Sequence, residues 1–179
     1  TLIQPHAMMI VGGSVSSYEA GEVWHLFEDR MKIPLVKVPE SRFPLTDIYR
    51  YNVIIMVSGR YRLLHKKDKE RIKQWVADGN TLITTAKASD WVVKQKIANE
   101  KLISQKGDTL ASNDRSNYET ARGSIGKQQI GGAIFGIDVD ITHPIAYGYL
   151  DREVPVYKNN RVWLSPSKNK FSTVGKYLD

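Results

Sequence analysis

Short apolar runs alternate with amphipathic segments over the first hundred residues. Four runs, each bounded by glycine, proline or polar residues, predict strands of the kind that a parallel sheet buries on both faces. They span residues 7–11, 33–38, 51–57 and 81–85. Apolar residues at helical spacing predict three helices, over about 17–31, 65–78 and 90–98. Strands and helices in this order are typical of a doubly wound α/β domain with a mostly parallel sheet.

The predicted helices carry recognisable end signals. Ser16 and Glu19 have the capping-box spacing at the start of the first helix, and Gly79 ends the second. Apolar spacing predicts inward-facing side chains at Ala20, Val23, Trp24, Phe27 and Met31 in the first helix, and at Leu64, Ile72, Trp75 and Val76 in the second. We interpret all four tryptophans as core or interface residues: Trp24, Trp75, Trp91 and Trp163.

The second part of the chain has a different pattern. Residues 99–129 are polar and rich in turn-forming residues, which predicts a long insertion that is functional, mobile or docked against another body. Apolar residues then alternate with polar ones over 135–141, as in a half-buried strand. Further short strands are predicted within 154–157, 161–164 and 172–177. We interpret 1–179 as a single domain, with 1–6 as the remnant of a linker.

Composition narrows the classes of function. The chain has 179 residues, 41% of them hydrophobic, and a formal net charge of +7. The densest basic run, residues 60–71, mixes acids with bases, so we interpret it as a solvated face and predict no nucleic-acid partner. No apolar run reaches 18 residues, which predicts no membrane span. The absence of cysteine excludes disulfides, thiolate metal sites and a cysteine nucleophile.

The loop after the first strand is a weak candidate for anion binding. Gly13 and Ser14 lie where phosphate-binding loops join a strand to a helix, but the loop lacks the dinucleotide-binding glycine spacing and a Walker lysine. We favour a turn with a serine cap. In the alternative, Tyr18, Ser58 and Arg60 converge with Lys87 on a small anion in the crevice at the carboxyl ends of the strands. That alternative makes the chain a ligand-binding or cryptic enzymatic domain.

Two sets of side chains have the residue types of a metal site. His25, Glu28 and the distant His143 match a histidine and glutamate zinc set, but helical geometry directs His25 towards solvent or a partner surface. Asp138 and Asp140 precede His143 on one strand face, as acids also do on any amphipathic strand. We therefore predict no metal ligand and no cofactor in this chain.

The strand, turn and helix at residues 79–91 match the setting in which many α/β enzymes expose a nucleophile. Here the turn after Thr85 carries Ala86, Lys87 and Ala88. Lys87 is the one candidate nucleophile there, with Asp90 as its partner. We favour the interpretation that Asp90 or Ser89 caps the helix and that Lys87 faces solvent.

Several stretches together resemble a known arrangement: residues 11–27, 51–59, 75–83, 131–135 and 140–149. They are similar to the C-terminal region of large bacterial zinc carboxypeptidases of the carboxypeptidase A superfamily, especially those of Bacteroidetes type. That region is similar to a class I glutamine amidotransferase domain, a flavodoxin-like three-layer α/β sandwich. The resemblance covers about residues 7–179 and is most specific in 11–27 and 140–149.

The resemblance implies a scaffold whose chemistry lies elsewhere. An amidotransferase of this class carries a cysteine in the turn after the fourth strand, where this chain has residues 86–88, so its triad does not form. The zinc ligands and general base of the carboxypeptidase are expected in a preceding peptidase domain, the expected partner within the same polypeptide. Export to the periplasm or the exterior is implied as well. The composition leaves the oligomeric state open.

Our leading hypothesis is a non-catalytic accessory domain of a zinc carboxypeptidase. Three parts of the chain are the expected contact elements: the exposed face of the first helix around Glu22 and His25, the turn 12–17, and the polar stretch 99–129. The chain starts at Thr1 rather than Met, so the missing signal peptide does not decide the compartment.

Overall fold

A computed structural model describes residues 4–103, 118–120 and 131–178. The chain divides into two units, residues 1–99 and residues 100–179. We describe each unit by itself. Most of the predicted insertion, residues 104–117 and 121–129, lies outside the described residues, as do residues 1–3 of the predicted linker.

The first unit contains a four-stranded parallel sheet. Its strands are β1 (Ala7–Val11), β2 (Leu35–Pro39), β3 (Val53–Met56) and β4 (Thr81–Thr84). Their order across the sheet is β2-β1-β3-β4, and all three pairings are parallel. The predicted α/β class with a parallel sheet is confirmed, and this order is that of the first four strands of a flavodoxin-like sheet.

Helices cover both faces of this sheet. They are α1 (Ser17–Trp24), α2 (Lys66–Ala77) and α3 (Ala86–Lys94). On one face, Ile72 and Trp75 of α2 and Trp91 of α3 pack with Met8 and Ile54 of the strands. On the other face, apolar residues of α1 and the following turn pack against Met9 and Ile55; they are Ala20, Val23 and Phe27. The result is the predicted three-layer sandwich.

The first helix differs from its prediction in its second half. After Trp24 the backbone continues as a π-helix, His25–Arg30, and the amide of Met31 donates to the carbonyl of Leu26 five residues back. The wider turn changes the angular spacing of the side chains. Met31, predicted to face inward, is 51% exposed after this segment, and Trp24, the last residue before it, is 42% exposed.

The helix after β4 begins four residues earlier than predicted. The proposed caps at Ser89 and Asp90 are wrong, because α3 starts at Ala86 and Thr85 is its N-cap. The hydroxyl of Ser89 instead bonds back to Thr84, and Asp90 forms an ion pair with Lys94 at 2.7 Å. The turn from strand to helix is consequently one residue long.

The second unit contains a small antiparallel sheet. Its strands are β5 (Ala133–Val139), β6 (Glu153–Lys158) and β7 (Gly175–Tyr177), in the order β6-β5-β7. The expected short C-terminal strands are thus confirmed in part. The run 161–164 forms no strand, since Leu164 makes only an isolated bridge with Leu102, and β7 takes up only the end of 172–177. Within the described residues, no helix is long and apolar enough to cross a bilayer.

Candidate functional site

The candidate residues of the first unit lie on loops at the carboxyl edge of the parallel sheet. Gly13 and Ser14 follow β1, while Ser58 and Arg60 follow β3. The two loops are joined by hydrogen bonds between backbone groups. The amide of Ser16 donates to the carbonyl of Ser58 at 2.8 Å, and the amide of Arg60 donates to the carbonyl of Ser14 at 3.2 Å. The structure therefore brings these four residues together.

A carboxylate that the sequence analysis missed occupies the space beneath Gly13. Glu40, the residue after β2, is only 1% exposed. Its Oε2 accepts from the amide of Ser14 at 3.1 Å and from the Ser14 hydroxyl at 3.3 Å, and its Oε1 accepts from the amide of Leu63 at 2.7 Å. A Cβ atom at Gly13 would overlap with Oε2. Glycine is thus required for the close approach, and the anion held by this loop is the chain's own Glu40.

A second carboxylate joins three strand ends. Glu19, in the first turn of α1, is half-buried. Its Oε2 accepts from the amide of Ser58 at 2.9 Å and from the Thr85 hydroxyl at 3.2 Å. Since Glu19 follows β1, Ser58 follows β3 and Thr85 follows β4, one carboxylate oxygen stabilises the arrangement of all three loops. The amide of Ser58 and the hydroxyl of Thr85 are thereby already engaged.

The turn after β4 has the backbone conformation expected of a nucleophile-bearing turn. Thr85 is extended, and its amide donates to the carbonyl of Met56 on β3. Ala86 follows with a φ of +46°, a left-handed conformation that costs a residue with a side chain about 1–2 kcal/mol. Its side chain is a methyl group, which has no atom able to attack a carbonyl carbon.

A buried phenol lies in the loop that follows β3. Tyr61 is 1% exposed and has a φ of +47°, and its hydroxyl donates to the carbonyl of Val57. Burial raises the pKa of Tyr61 above its ordinary value, and the negative charges of Glu40 and Glu19 raise it further. The phenol is therefore neutral at physiological pH and fixed by one hydrogen bond.

Three of the candidate residues face outward. Tyr18 is 86% exposed, and Arg60 and Lys87 are also exposed. Within residues 4–103, none of these three side chains makes a hydrogen bond or ion pair to another of the candidate residues. The structure thus places the candidates on one edge, where the amides of Ser14 and Ser58 already donate to Glu40 and Glu19.

The two candidate metal sets are engaged in other contacts. His25 lies on the exposed side of its helix, as predicted, with Nε2 at 3.3 Å from Oδ2 of Asp29. Asp138 accepts two hydrogen bonds from Arg152 at 2.9 and 3.0 Å, and these bonds lower its pKa. His143 Nδ1 accepts from the amide of Ile145 at 3.2 Å. In the described part of the chain, no group of three histidine or carboxylate side chains is arranged to hold a metal ion.

Asp140, the second aspartate of the candidate metal set, also accepts hydrogen bonds within its own turn. Oδ1 of Asp140 accepts from the hydroxyl of Thr142 at 2.7 Å and from its amide at 3.1 Å. The hydroxyl contact is the main reason why the pKa of Asp140 is lowered, and the amide contact adds to it. This arrangement stabilises the turn that follows β5.

Comparison with known proteins adds no family to this description. No protein-family model matches the chain, and no curated protein sequence matches it. The fold places the chain in the class of α/β proteins, with a four-stranded parallel sheet and a small antiparallel sheet.

Proposed function

We propose that the chain is a non-catalytic accessory domain, similar to class I glutamine amidotransferase domains, of a larger exported zinc metallocarboxypeptidase. The domain packs on the peptidase domain or assists it, while zinc and the hydrolytic chemistry belong to that other domain. The observation that carries the non-catalytic part of the proposal is the turn at Ala86. The turn has the strained conformation of a nucleophile elbow and presents only a methyl group.

The contents of the crevice support the same proposal. Three loop amides that could bind an anionic ligand, those of Ser14, Ser58 and Leu63, already donate to Glu40 and Glu19. Two internal negative charges also repel an anionic ligand. The alternative function, binding of a small anion near Gly13, Ser58 and Lys87, has less support, because two of these three residues adjoin a carboxylate already in place.

The carboxypeptidase part of the proposal is supported by the resemblance of residues 11–27 and 140–149. The strand order β2-β1-β3-β4 supports only the flavodoxin-like fold that the resemblance implies.

The test uses the complete open reading frame that encodes this chain. Its product is expressed with and without residues 1–179, and release of C-terminal residues from peptides is measured with and without a zinc chelator. We expect zinc-dependent activity in the product that lacks this chain, reduced in rate or in stability relative to the complete protein. A reading frame without such activity would contradict the parent assignment, and peptidase activity of residues 1–179 alone would contradict the accessory role.

A further inference from the structure

Acids and bases are segregated at the carboxyl edge of the first unit's sheet. Glu40 and Glu19 point inward and accept hydrogen bonds from the amides of the loops. The basic residues of the same loops and of the helix starts point outward. They are Arg60, Arg62, Lys66, Lys67 and Lys87, all exposed. We call these five residues the basic edge. The ion pairs within the described part of the chain join other residues.

The two arginines are held on a rigid turn. Tyr61 between them is buried in a left-handed conformation, so its neighbours on both sides are directed to solvent. The amide of Arg60 donates to the carbonyl of Ser14, and the amide of Arg62 donates to the Ser14 hydroxyl at 3.4 Å. A preorganised backbone reduces the entropy lost when such side chains bind a partner.

The lysines of the basic edge occupy positions that disfavour them in the isolated fold. Lys66 and Lys67 lie in the first turn of α2, which also contains the buried acid Asp68, and Lys87 lies in the first turn of α3, which contains no acid. The positive end of a helix dipole disfavours a cation there. Within this unit, nothing described offsets that repulsion with an ion pair, whereas an acidic partner would offset it.

Exposed apolar side chains adjoin the basic edge. Leu63, which follows Arg62 on the same loop, is 43% exposed, and Tyr18, in the first turn of α1, is 86% exposed. Tyrosine and arginine are the residue types that contribute most to binding at protein interfaces. This combination favours a protein partner over a nucleic acid.

We infer that the basic edge, with Tyr18 and Leu63, binds an acidic segment of a protein partner. The inference rests on the proposed function, to which it adds the chemistry of the partner's surface. It differs from the contact elements expected from the sequence, because the side chains on the outer face of the first helix around His25 already have partners: His25 contacts Asp29, and Glu28 pairs with Lys37.

The test measures binding of the complete chain to a fluorescent peptide of ten glutamates at low ionic strength. The variant Arg60→Glu, Arg62→Glu, Lys87→Glu is compared with the matched control Arg30→Glu, Arg50→Glu, Lys73→Glu. Both triple variants lower the net charge by the same six units, and far-UV circular dichroism verifies that each is folded. We expect the dissociation constant to rise at least tenfold in the first variant and less than twofold in the control, with affinity falling as salt is added.

Three outcomes would overturn the inference: no binding by the unaltered chain, an equal loss in the control, or tighter binding of a ten-nucleotide single-stranded DNA or of phosphatidylglycerol vesicles. Its failure is distinguishable from failure of the proposed function. Ammonia release from glutamine by the isolated chain would contradict the non-catalytic role whether or not the peptide binds, and loss of peptide binding alone leaves that role standing.

Discussion

The two sheets of this protein are stabilised in different ways. In the parallel sheet, Met8, Met9 and Ile10 of β1 are all 0% exposed, because helices cover both faces. In the antiparallel sheet, Ile134 of β5 is 75% exposed, and Tyr157, its neighbour on β6, is 67% exposed. The first sheet therefore derives its stability from apolar burial on both sides. The described part of the second has one open face.

The covered side of the antiparallel sheet depends on aromatic contacts. Phe135, Trp163 and Tyr177 pack edge to face with ring centroids 5.0–6.5 Å apart. The ammonium of Lys158 lies 4.3 Å from the centroid of Trp163 and bonds to the carbonyl of Val162. Such contacts contribute about 0.5–1.5 kcal/mol each beyond burial. Because the side chains of the first unit are buried more completely, replacing a large apolar side chain by alanine is expected to lower the free energy of unfolding more there than in the second unit.

The largest expected difference is between two tryptophans. Trp75 is 0% exposed, and its Nε1 donates to the carbonyls of Ile48 and Tyr51. Trp75→Ala is expected to lower the free energy of unfolding by about 3–5 kcal/mol. Trp163→Ala is expected to lower it by about 1–2 kcal/mol, because that ring is half-buried and its Nε1 has no hydrogen-bond partner among the residues that the structure describes. Urea unfolding of both variants measures the difference, and equal losses would contradict the comparison.

The next largest effect concerns the buried carboxylate of the first unit. Glu40→Ala leaves two backbone amides and a hydroxyl without their acceptor, which is expected to cost about 2–3 kcal/mol of stability. Glu28→Ala is the matched control, since Glu28 is exposed and lies 3.9 Å from Lys37 at the surface. We expect a change within about 0.5 kcal/mol for that control. Thermal unfolding compares the two, and a loss of that small size at Glu40 would show that the crevice does not depend on it.

The first unit was easier to predict because its signal is local. The apolar run 7–11 predicted β1 to the residue, since polar or glycine residues bound it on both sides. Glu40 had no comparable signal, because its partners Ser14 and Leu63 lie 26 and 23 residues away in the sequence. The start of α3 was misplaced because Thr85 is an unconventional cap: its hydroxyl donates to Glu19, 66 residues away, and makes no capping hydrogen bond to the helix. Ser89 and Asp90 therefore had the more conventional residue types for a cap.

The second unit was harder to predict because its strands lack continuous burial. Alternation predicted β5 over 135–141, while the strand spans Ala133–Val139. The aromatic contacts of Trp163 and Tyr177 with Phe135 depend on where the turns direct the chain. The apolar residues at 161–164 therefore predicted a strand. In the structure this segment instead contributes one aromatic side chain, Trp163, which packs against Phe135 and Tyr177.

The stabilities of the two units are expected to change in opposite directions at alkaline pH. Burial raises the pKa of Tyr61, so its contribution to stability is complete below about pH 10 and is lost as pH rises further. Tyr61→Phe is expected to lower stability by about 1 kcal/mol at pH 7 and to flatten the decline above pH 10. Burial lowers the pKa of Lys158, so the second unit gains stability as pH approaches the ordinary lysine value of 10.5. Urea unfolding between pH 8 and about 11 tests both signs.

The smallest effect concerns the strained turn. Ala86→Gly removes the steric strain of a φ of +46° at the expense of greater freedom in the unfolded chain, which leaves a net gain of about 0.5–1 kcal/mol. Ala88→Gly, at a buried helical position of the same α3, is the control and is expected to lose about 1 kcal/mol. A rise in melting temperature for the first variant and a fall for the second would agree with this account. Two falls of similar size would indicate that residue 86 is unstrained in solution.

Ammonia release from glutamine by the purified chain tests the central claim most directly, namely that this edge of the sheet has the geometry of an enzyme without its nucleophile. We expect no release above the buffer control, because Ala86 offers only a methyl group and Glu40 and Glu19 occupy the amides of the crevice. Turnover at about 1 s⁻¹ or faster, abolished by Lys87→Met, would contradict the account.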